Sequence, residues 1–490
     1  MNHRAAPTLG STTSNRSQRP VRRGSHLIGL ELRSLVPRLI LLVAASVFVA
    51  VGLASTPAAA HSGKQSYLYV SLFDDGVEGR VEIPVVDLGP ALGIDLENSS
   101  GGLRVGAAAA SAEIVEYVDE HLSLSGAGGP WSIEFGQPRV LGTENGPYVV
   151  TPYVVSDTSD AAPQEFTAEF DAIIETDPEK DALLLIEDNW RSATFDNGSN
   201  PLLGFSTGAT VQQVVLDDAG TLTSMAEIRG LGSDAVRNGI VIMLVVAALV
   251  LSVVLLPAQR SRSEIATTGE LIRRGGRIAG PFAAAVAIGS LLSGPGGLDL
   301  SNRLVGIVIS STLGVLAVSA IVARYRPELR SAGWILAAIA GSVVGLELGR
   351  LFVFYGLDRT RPLVGWLAFV VGALIAMALV AVFVGTPLYL LRRTRFSSAV
   401  LIVVAVVLAA YGIAWTGELL LATDWPIEEF AKPYRPWPRN GWFVLLAVAA
   451  AAAVRAIESR AGRLRPVGSM ADDADVPDAD VPDADQLAVG

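Results

Sequence analysis

Cysteine is absent from the 490-residue chain, which excludes disulfide frameworks, thiolate zinc sites, iron–sulfur clusters and cysteine nucleophiles together. Histidine occurs four times, at His3, His26, His61 and His121, too few for a histidine-built metal centre. Lysine stands only at Lys64, Lys180 and Lys432, so arginine carries nearly all the positive charge. Charge of either sign is scarce. Only 17% of residues are charged, 51% are hydrophobic, and mean hydropathy is +0.45. Soluble globular chains carry about 25% charged residues, so this composition is that of a membrane protein. No nucleophile motif, phosphate loop or paired-carboxylate signature is present, and the chain is not expected to be an enzyme.

The few charges are unevenly placed. Residues 1–60 carry seven Arg and one acid, and residues 61–236 carry seven basic and 29 acidic residues, net −22. Residues 237–465 carry 23 basic and 11 acidic residues, and residues 466–490 add seven Asp. A block at −22 excludes nucleic acid as a partner and attracts cations. The blocks predict a signal peptide or signal anchor (1–60), an extracytoplasmic acidic β-rich domain (61–236), a transmembrane bundle (237–456) and a disordered acidic cytoplasmic tail (457–490).

At the N-terminus, Arg38 precedes the apolar run 39–54, and Ala58-Ala59-Ala60 offers a small-residue cleavage site. Positive flank, short apolar core and that site make an export signal. Cleavage after Ala60 leaves His61 first; an uncleaved anchor is the alternative, since about 20 apolar residues span a bilayer. Either way residues 61–236 lie outside the cytoplasm.

In that block, Ser66–Phe73 and residues 77–86 alternate around Asp74-Asp75-Gly76, predicting a hairpin. Residues 111–122 place Ile114, Val115, Val118 and Leu122 at helical spacing. Further strands are expected at 131–135, 148–155, 166–174, 182–186 and 211–216, a β-sandwich-like pattern. One feature carries metal chemistry. A mature N-terminal His61 offers its amine and imidazole to a transition-metal ion (nickel, cobalt or copper), with Asp119 and His121 near enough in sequence to complete the site. A metal ion or an envelope protein is thus the partner expected at the outer domain. In the alternative, His121 simply ends its helix.

Seven apolar runs follow, at 239–257, 279–297, 302–323, 332–354, 363–390, 398–421 and 441–455, near the length that crosses a bilayer. The last is short, and Gly294-Pro295-Gly296-Gly297 predicts an early end to the second. Connections on the expected inner side hold fifteen Arg, and those on the outer side hold seven basic residues. That bias predicts a multi-pass plasma-membrane protein with a cytoplasmic C-terminus. Trp425, Tyr434 and Trp437 in the outer loop 422–440 suit the membrane interface, and the repeated Val-Pro-Asp-Ala-Asp at 476–485 suits disorder. The fold class is α+β: an extracytoplasmic β-sandwich-like domain followed by a seven-helix transmembrane bundle.

Ionisable residues inside spans are costly and point to function. Glu347 and Arg350 lie three apart on one helical face, in Gly345-Leu346-Glu347-Leu348-Gly349-Arg350, and Glu418 lies near the outer end of the sixth span. They read either as a polar pathway for a cation or as an internal ion pair with Arg350 snorkelling to water.

The layout resembles the HupE/UreJ family of bacterial membrane proteins, its exported-domain branch in particular, over most of residues 60–421. An Ala-His start leads into a β-rich domain. Val86-Asp87-Leu88 with Ala91-Leu92-Gly93-Ile94-Asp95 is similar to that branch's D-L…L-G-L-D stretch. Gly239 matches the first glycine of G-x-x-H-I-x-x-G-x-D-H-L, and Tyr411-Gly412-Ile413-Ala414-Trp415 resembles a late G-x-Y-W element. The resemblance implies nickel or cobalt uptake. Where the family has membrane histidines, however, this chain has Ile242 and Ala248-Leu249, and no span holds a histidine. Two expectations follow: cation or transition-metal transport on a HupE/UreJ-like scaffold, or an envelope binding or sensory protein whose helices do not transport.

Overall fold

Alternating apolar residues in Ser66–Phe73 (β1) and Gly76–Pro84 (β2) build an antiparallel hairpin closed at Asp74-Asp75, as the turn residues predict. The structure, a computed structural model, describes residues 65–96, 102–143, 146–156, 163–256, 267–421 and 441–464. The signal segment, His61, the loop 422–440 and the tail repeats lie outside the described residues.

Pro84 ends the β2 ladder, because it has no N–H to continue the pairing. The chain turns into Val85–Leu92 (α1), which Gly93 closes at φ 68° in the left-handed region glycine favours. Leu103–Ala109 (α2) and Ser111–His121 (α3) follow, then Leu122–Gly126 (β3), Gly129–Pro130 (β4), Ile133–Phe135 (β5), Arg139–Thr143 (β6) and Gly146–Val155 (β7). Glu165–Phe170 (β8), Ala182–Asn189 (β9), Leu203–Phe205 (β10) and Val211–Val215 (β11) complete the strands. One sheet runs β10-β9-β1-β2-β7-β5, with β6 also on β7; the second runs β11-β8-β3-β4. The β1–β9 pairing is parallel. Leu68, Val70 and Leu72 of the first sheet, Phe166 and Phe170 of the second, and Ile114 and Val118 of α3 share one core.

All eight β1 residues are buried, because β1 lies between β2 and β9 and its second face clusters Tyr67 and Tyr69 with Tyr148 and Leu185. The strand expected to reach residue 174 stops at Phe170. Beyond it the Tyr117 hydroxyl accepts the Ile173 N–H at 2.9 Å, and Ile173 takes a positive φ of 70°.

Helices, most of them apolar, fill the C-terminal part, so the layout is α+β. They are Thr221–Asn238 (α4), Ile240–Val254 (α5), Thr268–Ser293 (α6), Asn302–Tyr325 (α7), Gly333–Phe354 (α8), Pro362–Leu391 (α9), Ser397–Leu421 (α10) and Gly441–Arg460 (α11), with a 3₁₀ turn at Pro327–Ala332 before α8. Among the described residues five of these (α6 to α10) are long and apolar enough to cross a bilayer, and a sixth span arises if α4 and α5, bent by 76°, are taken together. This is a multi-pass membrane protein, and among the described residues the expected count of seven is not reached. At 15 residues α5 is short by itself, against about 20 for a full crossing. Helix α11 carries Arg455, Glu458 and Arg460 in its last turns, and it runs beyond residue 456, where disorder was expected. Glu458 is buried there, paired with Arg395 at 3.1 Å.

Glycines set the helix contacts. Gly341, Gly345 and Gly349 recur every fourth residue along α8 and face α6, where Gly289 faces back; a Cβ at Gly345 would overlap the Val286 carbonyl oxygen. Small residues at this spacing let membrane helices meet backbone to backbone. Helix α4 uses the same device against α9. A Cβ at Gly232 would overlap the Phe369 carbonyl, and one at Gly372 the Arg229 carbonyl.

The hairpin turn of the sheet domain is clamped to the α8–α9 connection. Arg359 donates to Asp75 at 3.0 Å, pairs with Glu78 and stacks 4.1 Å over the Phe73 ring. Thr360 accepts the Asp74 N–H at 3.3 Å, and the Ser224 hydroxyl of α4 donates to the Trp190 carbonyl at 2.6 Å. Half-exposed ion pairs are worth up to about 1 kcal/mol, and the ring contact adds roughly 0.5–1 kcal/mol. Arg359→Ala should therefore speed amide exchange at residues 74–76 by about tenfold or somewhat more. Unchanged exchange there would mean that the clamp contributes nothing.

Candidate functional site

Along α7 the side chains of Ser311, Val315, Val318 and Val322 recur every third or fourth residue and so share one face. They form one wall of a cleft of about 1390 Å³ within the helix bundle. Helix α10 supplies Ile413, Thr416 and Leu420, α5 supplies Leu249, Ser252 and Val253 with Leu256 just beyond its end, and α8 supplies Trp334 and Ile335. Small-molecule pockets measure roughly 300–1,000 Å³, so this cleft exceeds that range. Its lining is overwhelmingly apolar, and Val315, Val318, Trp334, Ile335, Ile413 and Leu420 are exposed along it.

Glycine makes the room. Gly314 and Gly417 line the cleft; a Cβ at Gly417 would meet nothing within 4 Å, and one at Gly314 would touch only Ile413, at 3.9 Å. Gly412 does the opposite, since a Cβ there would sit 2.7 Å from the Ser310 carbonyl oxygen, so α7 and α10 touch at that level. The polar atoms at this end satisfy one another. Thr416 Oγ1 lies 2.9 Å from Ser310 Oγ and 3.2 Å from Ser311 Oγ, and it donates to the Gly412 carbonyl at 2.7 Å.

At the other end Arg273, Arg274 and Arg277 of α6 border the cleft. Arg274 is already engaged, by Glu270 and by the Leu256 carbonyl at 3.3 Å. Arg273 and Arg277 are exposed, and among the described residues neither pairs with a carboxylate. Helix α6 starts at Thr268 rather than near residue 279 because Thr267 caps it, its side chain accepting the Glu270 N–H. That early start places the arginines on ordered helix.

The residues singled out in the sequence fall elsewhere. Glu347 and Arg350 form a bidentate pair, at 2.7 and 3.1 Å, and Arg350 also donates to Asn302 Oδ1 at 2.8 Å at the start of α7. Both are partly exposed. Neither they nor Glu418 of α10 line the cleft. His121 takes Asp171 as its partner, with Nδ1 2.7 Å from Oδ1, approaches Glu175 at 3.7 Å, and packs on Tyr117 with ring centroids 4.3 Å apart. Asp119 is exposed. Spacing could not reveal Asp171, 50 residues away in the chain. Among the described residues no group of three or more His, Cys, Asp or Glu side chains has metal-holding geometry.

The cleft itself went unseen in the sequence. The available signal was hydroxyl and small residues at helical spacing inside two apolar runs, which reads equally well as helix packing. Comparisons with protein families, curated proteins and solved structures find no match to this chain.

Proposed function

We propose that the chain is an envelope binding protein whose membrane bundle holds an amphiphilic molecule in the α5–α6–α7–α8–α10 cleft, with the acidic sheet domain on the outer face. The observation that carries this reading is the cleft, about 1390 Å³ in volume, with apolar walls along which Val315, Trp334 and Ile413 are exposed. A large apolar concavity with a few convergent polar groups is the default form of a ligand site. The arginine bias of the connections supports an exported sheet domain and a cytoplasmic C-terminus. The test fills the cleft from inside. A Cβ meets nothing at Gly417 and only an ordinary contact with Ile413 at Gly314, so in Gly314→Leu and Gly417→Leu the bundle should stay folded while affinity for a fluorescent alkyl probe falls by about tenfold or more. Unchanged probe binding in both variants would defeat the reading.

A second reading, HupE/UreJ-like uptake of a cation or transition metal, is favoured by the Glu347–Arg350 pair within a membrane helix. It predicts that cells expressing the chain accumulate nickel, cobalt, copper or zinc selectively and that Glu347→Ala abolishes the accumulation. No accumulation of any metal would remove it.

A further inference from the structure

We infer that the occupant of the cleft is an anionic glycerophospholipid drawn from the leaflet opposite the sheet domain, its phosphate on Arg273 and Arg277 and its acyl chains along α7. The inference rests on the amphiphile-binding reading and gives it a ligand class.

Three observations converge. The first is length. From Ser311 to Val322 the α7 wall rises eleven helical steps, about 17 Å at 1.5 Å per residue, and Val315, Val318 and Val322 give it the apolar face that acyl chains need. The second is sidedness. The clamp ties the sheet domain to the α8–α9 connection, whereas the arginines stand in the first turns of α6, at the end where α7 finishes and α8 begins. The third is charge. Two exposed guanidinium groups that, among the described residues, have no carboxylate partner border a largely apolar cleft, next to an arginine that Glu270 already neutralises. A guanidinium fork matches phosphate oxygens. A cation at the rim of an apolar slot selects an anionic head on an apolar body, whereas a neutral alkyl ligand leaves both arginines unused.

Each arginine close to an anionic lipid surface contributes roughly a fivefold preference, so the pair predicts about 25-fold. The experiment is native mass spectrometry of the full chain released from detergent after equilibration with equimolar dioleoyl phosphatidylglycerol and dioleoyl phosphatidylcholine. The wild-type chain should retain the glycerol lipid in large excess. In Arg273→Gln/Arg277→Gln the preference should fall to near unity while phosphatidylcholine is still retained. Gly314→Leu should retain little of either. Equal retention by the wild-type chain, or a preference that survives the double substitution, overturns the headgroup inference and leaves the amphiphile reading standing. Retention that survives Gly314→Leu overturns the placement in the cleft. If no lipid is retained, the inference and the reading beneath it both fall.

Discussion

Replacing Gly345 by leucine should abolish the folded bundle. Gly345 sits at the centre of the α6–α8 contact, where a Cβ would overlap the Val286 carbonyl oxygen and lie 2.9 Å from the Ser290 nitrogen. Neither atom belongs to a side chain that can rotate away, so the helices must separate. Overpacking a tight core costs about 1–3 kcal/mol, and separation would also break the matching contacts at Gly341, Gly349 and Gly289. Membrane helices associate largely through such close packing, so the losses compound along the seam. Gly276→Leu, on the exposed start of α6, is the control, because a Cβ there would meet nothing within 4 Å. Size-exclusion profiles in detergent should show Gly345→Leu aggregated and Gly276→Leu like wild type. A monodisperse Gly345→Leu protein with unchanged melting would show that the glycine seam does not hold the bundle.

The second large effect lies in the sheet domain and depends on pH. Asp188 of β9 accepts the Asp196 N–H at 3.0 Å and faces the Ser71 hydroxyl at 3.4 Å. Burial, with Glu187 and Asp196 close by, pushes its carboxyl up to about 7. Burial and Glu187 likewise push Asp196 up to about 6, against the opposing pull of Arg80. A carboxyl with a folded-state value above its unfolded one, about 3.9, binds more protons folded than unfolded. Stability then falls as pH rises from about 4 to about 7 and levels off above that. The two groups titrate as a pair. Asp188→Asn removes the ionisation while keeping an acceptor for the Asp196 N–H. It should stabilise the domain at pH 8 by roughly 2–4 kcal/mol and change little at pH 4. Melting of the sheet domain followed by amide exchange in β9 checks this. Equal melting shifts at both pH values would mean that the carboxyl is not held protonated by the fold.

Membrane character, the first hairpin, helix α3 and the break after Ser293 were legible in the sequence, because each is written in neighbouring residues. Composition alone separates bilayer from water, and alternation or a Gly-Pro-Gly-Gly run acts within a few residues. The Glu347–Arg350 pair was legible for the same reason, since i,i+3 neighbours on a helix must meet. Helix α4 was assigned to the acidic outer block, although its glycines pack it on α9. Its charge resembled the preceding domain, and charge says nothing about which backbone a glycine face will meet.

Other features depended on tertiary structure. The partner of His121 is Asp171 because the chain doubles back after β8, and the raised Asp188 carboxyl depends on groups brought together by β9 and the loop after it. The cleft depends on which helices become neighbours and on whether a glycine faces a carbonyl, as at Gly345, or open space, as at Gly417. The same residue type in similar apolar runs closes one contact and opens another. The sequence by itself determined the solvent this protein lives in and the local elements it forms. Where the bundle leaves room for a ligand was decided by packing between distant segments, because the volume between helices is a property of their pairing and no single helix carries it.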